Sequence, residues 1–199
     1  DKSWGYGGKN ARVVTFNDPQ YSIKMNEQAG DSINLQLIIL NSYDGALKAS
    51  INFGLLRMLC ANGMISIDSI VGSNKKHTKK DVLGYEYGKL KNITPYLEQQ
   101  RNQLQQYENT VVSLDVVRET LKNTIAKNEV KQDQIMQYVE SNNRGTADKV
   151  NLMSVYNGVT EWATHHGSRA TADSNNVYLS RQMDVTKMLQ SDNFMQLVA

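Results

Sequence analysis

The chain has 199 residues, of which 40% are apolar and 21% are charged. This composition is ordinary for a globular domain and excludes a wholly disordered chain, which would be poorer in apolar residues. Lys and Arg number 22 against 20 Asp and Glu, so the net charge of +2 neither demands nor excludes nucleic acid as a partner. No segment approaches the ~18 consecutive apolar residues of a transmembrane helix, so no membrane association is expected.

The single cysteine, Cys60, lies in the apolar run 55–60 and has no partner for an internal disulfide. It is interpreted as a buried thiol that packs as a small hydrophobic side chain. A reducing compartment fits this usage, so we expect a cytoplasmic protein. Zinc ribbons and zinc fingers need a pair of cysteines and are therefore excluded.

The first half of the chain has the β-branched and aromatic runs of an antiparallel meander. Its best strand is predicted over 33–41, where apolar residues first alternate and then occupy both faces, as in a strand inside a sheet. Asp44-Gly45 and Asn62-Gly63 are typical hairpin turns. The predicted segments are a flexible Gly-rich arm over 1–10, strands over 11–17, 21–25 and 64–70, one strand or two pieces broken at Gly54 over 47–60, and a loop over 71–80.

Past Asn92 the apolar residues recur with helical period. Thr94 is predicted as the N-cap and Pro95 as the first helical residue. The stretch 97–125 is one amphipathic helix, or two helices broken near Ser113, where Ser113 and Asp115 supply a new cap. Further helices are predicted over 132–140, 151–166 and 176–197, with a loop over 141–145.

These patterns predict an α+β fold in which an antiparallel β-meander packs against helices from the C-terminal half. The expected organisation is a flexible arm over 1–10 and a single domain over 11–199, strand-rich over 11–91 and helical over 92–199. The long amphipathic helix packs on the sheet in this interpretation, and self-association through it is the alternative.

No catalytic constellation is present in the sequence. A phosphate loop, a dinucleotide fingerprint and a nucleophile-base pair are all absent. His165 and His166 are adjacent, so on a helix they point about 100° apart and cannot chelate together. Glu161 shares a face with His165, but a helix end capped by Gly167 explains the histidines without a metal. We therefore expect a protein that is not an enzyme and needs no metal or other cofactor.

The positive charge is concentrated in the section 71–91, which has six lysines against two acidic residues. Lysines bind phosphates and aromatic faces stack on bases, so this combination suits single-stranded nucleic acid. A solvated hairpin tip is the alternative explanation. Arg57 interrupts an apolar strand, where a charge needs a carboxylate or a phosphate. The predicted nucleic-acid-binding residues are Lys75, Lys76, Lys79, Lys80, Arg57, Tyr85 and Tyr87.

Three motifs resemble the phage and plasmid family catalogued as domain of unknown function 932. They are the N-S-x-D-G turn at 41–45, the R-x-x-C-x-N-G segment at 57–63 and the "YNAVTE"-like helix at 156–161. The resemblance extends over 13–197. It brings no assigned active site.

The resemblance implies a phage or plasmid origin, a bacterial host cytoplasm, and a role in replication or recombination. Single-stranded DNA is the expected ligand, with a homo-oligomer as the assembly and phage or host replication and recombination proteins as further partners. The alternative is a non-enzymatic interaction protein, an inhibitor or adaptor that binds a host factor through its helical half.

Overall fold

The computed structural model describes residues 2–6, 9–15, 21–24, 32–42, 49–57, 62–64, 73–75, 94–143, 148–166 and 172–198. The chain divides into two compact units, residues 1–99 and 100–199. The expected packing of the sheet against the helices stays a prediction.

The first unit contains a seven-stranded sheet in which every described pairing is antiparallel. Its main path runs β1-β2-β4-β5-β6, so the expected meander is confirmed. The strands are β1 Lys2–Tyr6, β2 Lys9–Thr15, β3 Ser22–Lys24, β4 Ser32–Ser42, β5 Ala49–Arg57, β6 Asn62–Met64 and β7 Ser73–Lys75.

Strand β4 is the centre of this sheet. On one edge β3 and β2 pair with successive parts of β4, and on the other edge β4 pairs with β5. β6 and β7 likewise share the far edge of β5. Ile33 and Leu35 are 1% exposed and Asn34 is 5% exposed, so both faces of β4 are covered from its start. The strand predicted over 33–41 is therefore confirmed as an interior strand.

Three local predictions in this unit are wrong. The expected arm over 1–10 instead contributes β1, which pairs with β2 from Lys2↔Val13 to Tyr6↔Lys9. The signal was present, because only Gly7 and Gly8 separate the two strands and Gly-Gly between strands indicates a hairpin. Asn62-Gly63 belongs to β6 rather than to a turn, and β7 falls within the expected loop over 71–80.

One further prediction about the strand-rich half is decided by the structure, and three others fall on residues that it does not describe. β5 continues through Gly54 without a break, which decides for a single strand there. The expected Asp44-Gly45 turn, Cys60 and the segment 65–70 lie outside the described residues.

Helices dominate the rest of the chain, beginning where the period changes near Asn92. They are α1 Thr94–Asn109, α2 Leu114–Asn123, α3 Glu129–Ser141, α4 Leu152–His165, α5 Ala172–Leu189 and α6 Asp192–Met195. Two short strands, β8 Val111–Ser113 and β9 Lys149–Asn151, pair as an antiparallel ribbon. β8 joins α1 to α2, and β9 directly precedes α4. None of the described helices is long and apolar enough to cross a membrane.

Side-chain caps mark where four of these helices begin: α2, α3, α4 and α6. Each N-cap side chain accepts the backbone N–H of the residue three positions later, which satisfies an otherwise unpaired donor. The predicted break near Ser113 is confirmed, with Asp115 in the first turn of α2. Thr94, the expected N-cap of α1, is instead its first helical residue. The caps are Ser113, Asn128, Asn151 and Ser191, and the last divides the helix predicted over 176–197 into α5 and α6.

Helix α4 is the centre of the second unit, and all of its residues from 152 to 160 are buried. The hydroxyl of Thr160 is satisfied within the helix, where its Oγ1 donates to the Tyr156 carbonyl at 2.9 Å. Gly158 faces α3 so closely that an added Cβ would lie 2.5 Å from Val139 Cα. The backbones of α3 and α4 can meet at this distance only because residue 158 has no side chain.

Tyr107 links α1 to this core. Its ring packs edge-on against Phe194 at 5.6 Å and tilted against Tyr156 at 6.0 Å. Gln103 Nε2 donates to the Tyr107 hydroxyl oxygen at 2.8 Å. Burial raises the pKa of Tyr107 to about 12, and the hydrogen bond from Gln103 opposes that rise.

Gly158→Ala is expected to lower the free energy of unfolding by about 2 kcal/mol, because the new methyl group meets backbone that cannot move aside. Urea denaturation followed by circular dichroism measures this. Val139→Ala removes the side-chain atom that the new methyl group meets but leaves the backbone atoms of residue 139 in place. Combining Val139→Ala with Gly158→Ala should therefore not restore stability. A double variant as stable as Val139→Ala alone would contradict the backbone clash.

Ionising Tyr107 is expected to destabilise the fold at alkaline pH. Its pKa is higher when folded, so the stabilisation is complete below pH 10 and is lost as the pH rises towards 12. Carbon-13 NMR of labelled tyrosine should show one ring that titrates near pH 12, and Tyr107→Phe should remove that signal. A spectrum in which every tyrosine titrates near pH 10 would refute the assignment.

Candidate functional site

Two of the predicted nucleic-acid-binding residues lie in described strands. Lys75 ends β7 and is paired with Ala49 at the start of β5. Arg57 ends β5 and is paired with Ile33 of β4 and Asn62 of β6. The other predicted residues lie outside the described part of the chain: Lys76, Lys79, Lys80, Tyr85 and Tyr87.

The sheet does not bring Arg57 and Lys75 together. Arg57 lies eight positions along β5 from Ala49, the partner of Lys75, which at about 3.3 Å per position is about 26 Å. A single phosphate cannot contact both positions. They can belong to one binding surface only if that surface runs along the length of β5.

In the helical unit, cationic side chains gather around one indole ring. Trp162, near the end of α4, is 2% exposed. Lys131 Nζ from α3 and the guanidinium carbon of Arg181 from α5 each lie 5.1 Å from the centroid of that ring. The His166 ring stacks on it at 6.1 Å with an interplanar angle of 24°. We call Lys131, Trp162, His166 and Arg181 the indole cluster.

Arg181 also closes the C-terminal end of α4. Its Nη1 donates to the carbonyl of His166, the C-cap residue. A cation at this end complements the partial negative charge of the unpaired helix carbonyls. Arg181 therefore connects α5 to the end of α4 through a hydrogen bond and through the indole face.

Beside the cluster, Gln182 is fully buried and its amide orientation is fixed. The Thr164 hydroxyl donates to the Thr160 carbonyl at 2.7 Å, so it can only accept from Gln182 Nε2 at 2.9 Å. Gln182 Oε1 and Trp162 Nε1 are both buried, and neither has a hydrogen-bond partner among the described residues. Buried polar atoms of this kind are uncommon and are a reason to look for function.

The cations of the indole cluster are not neutralised by carboxylates among the residues that the structure describes. The ion pair seen there joins Arg118 to Asp133 at 2.7 Å, and both side chains are exposed. Glu161 precedes Trp162 in the chain, but its Oε2 accepts from Asn142 Nδ2 at 2.7 Å. The indole cluster therefore holds two cations that have no carboxylate of a described residue at ion-pair distance.

The pKa of His166 is lowered from its ordinary value of 6.5, first by burial and second by the charge of Arg181. The ring also meets the edge of Tyr138 at 6.0 Å. Burial disfavours the charged imidazolium, and the charge of Arg181 adds to that effect, so both causes lower the pKa of His166.

A metal site involving Glu161 and His165 has no support in the structure. Among the described residues no three His, Cys, Asp or Glu side chains are grouped so that they could hold a metal ion. The helical spacing of Tyr156, Val159 and Trp162 in the sequence indicates core positions, and all three side chains are buried.

An open cleft of about 360 Å³ lies between the end of α2, α5 and α6. Its lining includes Asp184, Lys187, Asn123 and Asn193. Because both charge signs are present, the lining selects no class of ligand.

The indole cluster is the more distinctive site. No local sequence pattern indicated it, because Lys131 and Arg181 lie 31 and 19 residues from Trp162 in the chain.

Protonation of His166 is expected to destabilise the protein. Its pKa is lower when folded, so the stabilisation is complete above pH 6.5 and is lost as the pH falls through 6.5 towards the folded value. Thermal unfolding at pH 7.5 and pH 5.5 should therefore show a larger fall in Tm for the wild type than for His166→Gln. An equal fall in Tm for the wild type and for His166→Gln would contradict a destabilising protonation of His166.

The chain was compared with protein families, curated proteins and solved structures. The sequence profile of the family described as "Domain of unknown function (DUF932)" matches residues 11–184. No curated protein and no solved structure matches the chain. The match covers most of the sequence and includes the three motifs that resemble this family, so the chain belongs to the DUF932 family.

Proposed function

We propose that the protein binds single-stranded DNA without sequence preference and acts as a binding or strand-annealing protein in phage or plasmid replication and recombination. The observation that carries the proposal is the section 71–91, where six lysines against two acidic residues give +4 in a chain of net +2. Self-association through the helices is part of the proposal.

The chemistry of this section suits a single strand. Lysine ammonium groups neutralise backbone phosphates regardless of base, and the release of counterions makes such binding strongly salt-dependent. Tyr85 and Tyr87 supply aromatic faces on which unpaired bases stack. Duplex DNA hides the faces of its own bases, so a preference for single strands follows.

The position of the section within the fold supports the proposal further. Lys75 is the last residue of β7, which pairs with β5 at an edge of the large sheet. The basic section therefore starts within the sheet rather than in a separate tail. Arg57, at the other end of β5, gives such a surface a length of about 26 Å. A track of that length suits a strand of several nucleotides.

Replacing Lys75, Lys76, Lys79 and Lys80 together with Glu is expected to reduce affinity for a fluorescent oligo-dT at least tenfold. Anisotropy at two salt concentrations should also show a smaller dependence on salt, by about 0.7 in log-log slope for each phosphate that the variant no longer neutralises. The matched control changes four exposed lysines of the helical unit, Lys122, Lys127, Lys149 and Lys187, to Glu. Equal losses of affinity in both variants, or no binding by the wild type, would refute the proposal.

A second candidate function is an interaction protein that engages a host factor through its helical half. It is favoured by two large apolar side chains that face solvent, Val111 at 60% and Val130 at 69% exposure. Recovery of one stoichiometric host protein without nucleic acid, abolished when either valine is changed to Lys, would favour this alternative.

A further inference from the structure

We infer that Lys131 and Arg181 form a phosphate-binding site on the indole cluster, apart from the lysines of the section 71–91. The site takes a phosphate group, either free or in the backbone of a nucleic acid. The inference stands on the helical unit alone and does not require the proposed function.

The first argument is the separation of the two cations. Each lies 5.1 Å from the same ring centroid, so the ammonium and the guanidinium are at most about 10 Å apart. Among described residues neither has a carboxylate within ion-pair distance. Two like charges within this distance repel each other, and an anion between or beside them offsets the repulsion. Bound phosphate supplies that anion.

The second argument is the surplus of hydrogen-bond donors. Arg181 uses one N–H on the His166 carbonyl, and an arginine has five. The Lys131 ammonium has three further N–H donors. Phosphate supplies several anionic oxygens in a tetrahedral arrangement, so it accepts from donors that approach from different helices. A carboxylate offers only two oxygens in one plane.

The third argument is that the indole holds the cations in place before a ligand arrives. Lysine and arginine side chains normally lose much conformational freedom when they bind. Here both already rest on the Trp162 ring, which reduces that loss. Trp162 itself is 2% exposed and is not available to stack on a base. The site therefore recognises phosphate without reading sequence.

His166 provides an internal reporter of occupancy. Its ring stacks on Trp162 and meets Tyr138 edge-on, and its pKa is lowered first by burial and second by the charge of Arg181. A bound phosphate adds negative charge beside Arg181 and makes protonation of His166 easier. Occupancy should therefore raise the pKa of His166 towards or above 6.5.

The test is an NMR titration of the His166 ring protons in the full chain. The probes are inorganic phosphate, a nucleoside monophosphate and an oligo-dT, each compared with chloride at equal ionic strength. We expect the midpoint to move to higher pH with saturable dependence on the probe. Lys131→Gln should weaken binding about tenfold, as for removal of one charge-assisted hydrogen bond, and Lys131→Arg should largely restore it.

The control is Lys127→Gln, which removes a nearby exposed lysine outside the indole cluster. A midpoint that responds to inorganic phosphate identifies a site for free phosphate, and one that responds only to oligo-dT identifies a backbone contact. A midpoint unchanged by every probe overturns the inference. Oligo-dT that binds by anisotropy without moving His166 also overturns it while leaving the proposed function intact. Equal effects of Lys127→Gln and Lys131→Gln would overturn it as well.

Discussion

The approach of helix α4 to helix α3 at Gly158 is the constraint on which the helical unit depends. With an added Cβ only 2.5 Å from Val139 Cα, the two backbones touch, and no larger residue fits between them. This contact sets the depth at which α4 is buried and leaves its middle residues without solvent exposure. Hydroxyl groups of α4 consequently donate to the carbonyls of their own helix, as Thr160 and Thr164 do.

The same packing sets up the chemistry at the end of α4. Because α3 is held against α4, Lys131 reaches the indole of Trp162, and Arg181 reaches it from α5. One aromatic ring thus carries two cations, and Arg181 also closes the helix. Stabilisation of the fold and concentration of positive charge arise from the same contacts.

Local signals in the sequence predicted much of the architecture. The central strand β4, the restart of helix at Ser113 and the core positions of α4 followed from alternation, capping chemistry and helical spacing. The errors came from competing signals. The Gly-rich start suggested a flexible arm although Gly-Gly also joins hairpin strands, and Asn62-Gly63 suggested a turn although its backbone pairs within the sheet. Pairing with a neighbouring strand outweighs local turn preference.

By itself, the sequence determined the α+β class, the change of period near Asn92, the family and the concentration of lysines in 71–91, because each depends on neighbouring residues or on whole motifs. Only the tertiary structure decided that β5 separates Arg57 from Lys75 and that Lys131 and Arg181 meet at Trp162. The physical reason is the same in both cases. Strand register and helix packing join residues distant in the chain, and no local pattern encodes which of them will meet.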